Sequence, residues 1–261
     1  AVHIHPAGQV GGLFASALKT NRLEQFGFKP LQRDLNRVGS LRSTDDLFRL
    51  VAEFHQSDVG VLFDVTVAPD AKNSSTYAFY LSQGGLGLPD RDYYLTDAFA
   101  QQREAYRAHV AKMLALLGEQ ETEATAHATT ILELETELAK ASKTRVELRD
   151  PVANYHKFAV ADLSEKAAPL PWQPYFAEMG LGRLRELVVR QPEFFSAVNL
   201  LVKKRPLAHW KAYLRWHVLR SSAPYLHAAA ENEWFRFYGS VLRGQPAQEP
   251  RWQRAARVID G

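Results

Sequence analysis

Apolar positions along this chain follow two periods, and the switches between them mark out its elements. From Gly12 to Phe26 the residues Leu13, Phe14, Ala17, Leu18, Leu23 and Phe26 recur at helical spacing, and Gly27 is a natural stop. Ser43 and Asp46 have the spacing of a capping box, which opens a helix whose apolar stripe is Leu47, Leu50, Val51 and Phe54. The period then shortens to two. Val61, Leu62, Phe63, Val65 and Val67 read as one strand, and Thr76 to Leu81, with Tyr77, Phe79 and Tyr80, as another. The turn-rich connector APDAKNSS joins them into a β-hairpin over about residues 61–82.

Helical periodicity returns and dominates the rest. Asp97 is placed to cap a helix with the stripe Phe99, Tyr106, Val110, Met113, Leu114 and Leu117, ended by Gly118. A second long helix runs from Thr122 to Ser142, with Ile131, Leu134 or Glu135, and Leu138 in line. The two predict a long antiparallel helical hairpin. Pro171 stands at the start of a short helix from Trp172 to Met179, and Leu187 to Val189 reads as a short strand. Pro192 opens a helix through Phe194, Phe195, Val198, Leu201 and Val202. Pro206 opens another through Trp210, Tyr213, Leu214 and Val218. Trp234, Phe235, Tyr238 and Leu242 continue the helical pattern, and Pro250 to Ile259 forms a last helix. The fold class expected is therefore mainly α: an extended multi-helix domain with long antiparallel helices and one small β-hairpin. Residues 1–261 form one helical domain on this reading, with residue 150 the candidate boundary between subdomains 1–150 and 151–261.

The segment QGGLGLPDRDYYL at residues 83–95 interrupts both periods. Gly84, Gly85 and Gly87 permit backbone angles closed to other residues, and Pro89 restricts itself and Leu88. Such a segment is costly to order, and it reads as a structural elbow between a strand and a helix. It is not a phosphate loop, because neither GxGxxG spacing nor a following Lys-Ser or Lys-Thr is present.

Composition narrows the classes. Hydrophobic residues make up 46% and charged residues 23%, as in ordinary globular proteins, and 14 Phe, 10 Tyr and 5 Trp argue against disorder. No apolar run approaches the roughly 18 residues that span a bilayer. The start carries neither an initiating Met nor a signal peptide, as in a mature product or a fragment. The absence of cysteine excludes disulfides, thiolate metal sites and a cysteine nucleophile. A net charge of +3 is too small to argue for nucleic-acid binding.

The search for catalytic groups returns little. None of the nine histidines (His3, His5, His55, His109, His127, His156, His209, His217 and His227) is followed by glutamate, and no two are four apart, so HExxH is absent. His3 and His5 could share one face of an extended strand and hold a metal only with a distant third ligand. His209 and His217 lie two turns apart on one helix face and read as satisfied or surface residues. No GxSxG elbow exists. Glu133, Glu135 and Glu137 read as a solvated helix face. Of Asp90 and Asp92, one is expected to cap a helix and the other to pair with Arg91. Lys203-Lys204-Arg205-Pro206 falls at a helix C-terminus, where cations complement the dipole. Neither catalytic nor metal-binding residues are assigned, and substrate-binding residues stay unknown.

Several segments in colinear order resemble the neprilysin and endothelin-converting-enzyme family of zinc metallopeptidases. They are FASALKTNRLEQFGFKPLQRDLNRV (14–38), VLFDVTVAPDAKNSSTYAFYLSQGGLGLPDRDYYL (61–95), ILELETELAKASKTRVELRDP (131–151), NYHKF (154–158), PLPWQPYF (169–176), PLAHWKAYLRWHVL (206–219) and FRFYGSVLRGQPAQEPRWQRAARVID (235–260). The first segment departs from the family pattern, which usually has an aspartate near Lys19. The resemblance implies the mostly helical, non-zinc part of a secreted or membrane-tethered endopeptidase that cuts short peptides. In that family HExxH, the third ligand in ExxxD, and the transition-state His and Arg lie C-terminal to the matched region. The zinc domain is thus absent from this chain. The isolated chain is expected to be inactive, a cap that encloses substrate and filters it by size, with zinc held by a further polypeptide as its partner. The compartment implied is periplasmic or secreted. A non-enzymatic binding protein on the same scaffold is the alternative.

Overall fold

The computed structural model describes residues 20–260, except for the side chains of 257–260. Its helices are α1 (Thr20–Phe26), α2 (Gln32–Ser40), α3 (Thr44–Gln56), α4 (Asp92–Leu95), α5 (Ala100–Leu116), α6 (Glu121–Ala141), α7 (Leu163–Lys166), α8 (Trp172–Glu178), α9 (Pro192–Lys204), α10 (Leu207–Ser222), α11 (Ala228–Trp234) and α12 (Arg251–Asp260). The strands are β1 (Phe63–Asp70), β2 (Asn73–Gln83), β3 (His156–Ala159) and β4 (Glu186–Val189). The protein is mainly α. Most of the helix expected over 12–26 lies outside the described residues, as do His3 and His5.

Local chemistry explains the starts and stops. Ser43 Oγ accepts the Asp46 N–H at 3.1 Å, and the Asp46 carboxylate accepts the Arg42 N–H at 3.0 Å, so both partners of the expected capping box serve α3. These bonds hold the Asp46 carboxyl below the usual range. Leu47, Leu50, Val51 and Phe54 are all buried. Pro192 stands in the first turn of α9, and Pro206 directly precedes α10. The chain leaves α5 through Gly118 at φ +111°, open only to glycine at low cost, and returns as α6 packed along it. Asp97 does not cap α5. It lies in a 3₁₀ turn, Asp97–Phe99, and Phe99 precedes the helix.

The hairpin lies where expected, with longer strands and a tighter turn. Strands β1 and β2 pair antiparallel from Phe63↔Gln83 to Asp70↔Asn73, so only Ala71 and Lys72 form the turn. It is also half of a sheet with order β1-β2-β4-β3. Strand β4 runs parallel to β2, and β3 antiparallel to β4. The short strand at Leu187–Val189 is where the sequence placed it, while β3 was not foreseen. Phe63 plugs the base of β1 among Phe48, Trp172, Tyr175 and Phe195, with ring centroids 5.3–6.4 Å apart. One apolar core runs from Leu31 in the first half of the sequence to Tyr238 near the end. Past α11 the helix widens into a π segment, Phe235–Val241.

Candidate functional site

The elbow at residues 84–91 connects β2 to α4, and four elements converge on it. At its entry Gln83 exchanges two hydrogen bonds with Lys143: its Nε2 donates to the Lys143 carbonyl at 3.0 Å, and its Oε1 accepts the Lys143 N–H at 2.7 Å. The Gln83 N–H donates to Gln191 Oε1. Three tyrosine hydroxyls then hold the glycines. Tyr213 of α10 accepts the Leu62 N–H at 2.9 Å and donates to the Gly85 carbonyl at 2.7 Å. Tyr238 of the π segment donates to the Gly87 carbonyl. Tyr94 of α4 accepts the N–H groups of Gly87 and Leu88. The order that glycine makes costly is thus supplied by fixed side chains.

A side chain is excluded at all three glycines, and a β-carbon on Gly84 would stand 2.8 Å from the Asp64 nitrogen. Gly85 has φ +78°, and a β-carbon there would stand 2.7 Å from both the Leu62 nitrogen and the Tyr213 hydroxyl. A β-carbon on Gly87 would overlap the Tyr106 hydroxyl. Leu62 itself has φ +62°, and the Phe63 N–H bonds back to the Val61 carbonyl at 2.6 Å, so the chain turns through three residues before entering β1. For a leucine this left-handed conformation costs about 1–2 kcal/mol.

Beneath the elbow lies Glu135, which has no solvent exposure. This corrects the expectation of a solvated Glu133-Glu135-Glu137 face. Glu133 and Glu137 do sit outside, paired with Arg205 and Lys140. Glu135 accepts from Tyr94 at 2.6 Å and from Tyr106 at 2.8 Å. Trp216 Nε1 donates to the Tyr106 hydroxyl, leaving that hydroxyl's own proton for the carboxylate. His217 completes the shell. Its Nδ1 lies 3.1 Å from the Gly60 carbonyl, and its Nε2 faces Glu135 Oε1 across 2.9 Å. Burial pushes the imidazole of His217 below its ordinary value and the hydroxyls of Tyr94, Tyr106 and Tyr213 far above theirs. Burial takes Tyr238 up to about 12. All four phenols therefore stay protonated and able to donate.

A second buried carboxylate, Glu233, accepts from His109 Nδ1 and Arg236 and pairs with Lys112. Burial would raise its pKa, but these three partners outweigh it and hold the group well below the usual range. Arg91 pairs with neither neighbouring aspartate, contrary to expectation. It donates to the Ser142 carbonyl at 2.7 Å, while Asp90 accepts the Asp92 N–H and pairs with Arg145. His209 and His217 do not act together: only His217 reaches the buried network. Lys203 and Lys204 lie in the last turn of α9, as the helix-end reading expects.

A cavity of about 610 Å³ opens beside the elbow. Its walls include Gly84, Gly85, Gly87, Asp64, Arg91, Lys143, Arg145, Arg220, Tyr238 and Arg243. Among the described residues no group of three or more His, Cys, Asp or Glu side chains could hold a metal ion. No helix among them is long and apolar enough to cross a membrane.

Comparison with known proteins places this architecture. The sequence profile of peptidase family M13, N-terminal part, matches residues 3–261, and the chain belongs to that family. It is 25% identical to bovine endothelin-converting enzyme 1 over 255 residues, covering 92% of this chain and 33% of that protein. It is 27% identical to neprilysin-11 of Caenorhabditis elegans, covering 94% of this chain and 32% of the relative. The chain therefore spans about a third of the length of these curated relatives. Among solved structures, the Mycobacterium tuberculosis zinc metalloprotease Zmp1 in complex with an inhibitor superposes with a TM-score of 0.92 at 32% identity. That match covers 96% of this chain and 38% of Zmp1. PepO from Lactobacillus rhamnosis, at 17% identity and a TM-score of 0.78, shares the fold.

Proposed function

We propose that this chain is the helical, substrate-enclosing part of a neprilysin-like zinc endopeptidase that acts on short peptides. The observation that carries this reading is the match to Zmp1 over nearly the whole of this chain but only 38% of Zmp1. The sequence has no HExxH, so the zinc ligands and the general base belong to polypeptide beyond these residues. Zinc would there activate a water for attack on the peptide carbonyl. The helical part contributes walls: residues 1–261 act as one cap, and the main apolar core of the described residues, which crosses residue 150, supports one unit rather than two. The names of the relatives, endothelin-converting enzyme and neprilysin, support peptide substrates. The resemblance further suggests an exported enzyme.

The test compares the 261-residue chain with the complete polypeptide that contains it, by zinc content and by cleavage of a fluorogenic short peptide. The complete polypeptide should hold about one zinc and cleave, and the chain alone should do neither. Stoichiometric zinc on the chain alone, or a complete polypeptide that is metal-free and inert, would overturn the reading.

A further inference from the structure

The cavity beside the elbow carries more positive charge than its own acids balance. Five cations line it, Arg91, Lys143, Arg145, Arg220 and Arg243, against two carboxylates, Asp64 and Asp90. Asp90 is already engaged by Arg145. Among the described residues Arg220 donates Nε to the Tyr238 hydroxyl and has no carboxylate within ion-pair distance, and the Nε of Arg91 is buried without a hydrogen-bond partner. Neither Lys143 nor Arg243 is ion-paired among the described residues. Isolated unpaired cations are ordinary on a convex surface. A concave wall with three charges in excess concentrates the field inside it and favours anions there.

Shape agrees with charge. The glycines contribute backbone without side chains to one wall, and the volume of about 610 Å³ falls in the range of small-molecule sites. The cations come from separate parts of the chain: the elbow, the segment after α6, α10, and the stretch after the π segment. A ligand with one negative group cannot reach them all. We propose that this cavity binds a small molecule carrying two or more negative groups, carboxylates or phosphates, held by Arg220, Arg243 and Lys143. Guanidinium forks suit both chemistries. This site stands apart from the peptidase reading and does not depend on it.

The test is calorimetric titration of the complete polypeptide with citrate and, separately, with inorganic pyrophosphate at low ionic strength. At least one should bind saturably with a Kd below about 1 mM. The double variant Lys143→Met/Arg243→Met should weaken that binding at least about tenfold. Neither side chain makes a hydrogen bond among the described residues, so the double variant's thermal melt should match the parent's. Arg243→Lys, which keeps the charge, should retain most of the affinity, and Asp64→Asn, which removes an opposing charge, should increase it. Preference for citrate assigns carboxylates, and preference for pyrophosphate assigns phosphates. No saturable binding of either anion below about 1 mM, or unchanged binding by the double variant, overturns the proposal.

Discussion

The Tyr106 hydroxyl stands 1.8 Å from the point where a β-carbon on Gly87 would lie. Glu135 Oε1 is 3.0 Å from the same point. The backbone of the elbow therefore approaches the buried carboxylate as closely as a side-chain-free residue allows, and the two are fitted as a pair.

Gly87→Ala should consequently destabilise the chain by about 3 kcal/mol or more, because the methyl must displace a hydrogen-bonded hydroxyl from a packed site. Gly39→Ala is the matched control. It lies in α2 with nothing within 4 Å of the added carbon, and the change should be neutral or stabilising by about 0.5–1 kcal/mol. Guanidinium unfolding measures both. Equal midpoints would show that the elbow has room the geometry denies.

Tyr213→Phe removes one hydroxyl and strands two buried backbone groups, the Leu62 N–H and the Gly85 carbonyl. A loss of about 1–3 kcal/mol is expected. Amide exchange should quicken selectively at Leu62, whose left-handed conformation that hydroxyl braces. Unchanged protection there would contradict the bracing role.

At Glu135 two substitutions separate shape from charge. Glu135→Leu leaves the hydroxyls of Tyr94 and Tyr106 and the Nε2 of His217 without their partner and should cost about 3–5 kcal/mol. Glu135→Gln keeps the outline and one acceptor, and about 1–3 kcal/mol is expected. If leucine proves the better tolerated, the network is not holding the elbow.

Acid should weaken the fold well before the carboxylates titrate. His55, His109 and His217 all have pKa values lowered, chiefly by burial. His55 uses both ring nitrogens while neutral, accepting from Tyr175 and donating to the Val61 carbonyl. Below the ordinary imidazole value of about 6.5 the unfolded chain takes up protons that the folded chain refuses. Stability should be full above that pH and fall beneath it by about 1.4 kcal/mol per pH unit for each histidine, until the folded-state pKa is passed. Denaturant midpoints that stay level from neutrality to the onset of carboxylate protonation would refute this.

The sequence announced the helices because their starts are local. Ser43, Pro192 and Pro206 act within a turn of where they stand, and the stripe Leu47-Leu50-Val51-Phe54 is read directly from spacing. Strand β3 was illegible, since its four residues gain strand character only by pairing with β4 thirty residues on. The helical widening at Phe235–Val241 likewise leaves no mark in the apolar period. Glu135 is the instructive case. Helical spacing put position 135 in line with Ile131 and Leu138, but a carboxylate is almost never fully buried without partners, and its partners come from α4, α5 and α10. Nothing local could supply them. The elbow's oddity was visible in its glycines, while the tyrosines that satisfy it were scattered from 94 to 238.

That scatter bears on biosynthesis. The clasp on Gly85 comes from a residue 128 positions later, and that on Gly87 from one 151 positions later. A ribosome making this chain must release Tyr238 before the segment laid down near residue 87 can close. The sheet and the early helices therefore wait, incompletely locked, until residue 238 has been made. Truncation anywhere before the π segment should yield not a shorter folded protein but a chain with its latch missing.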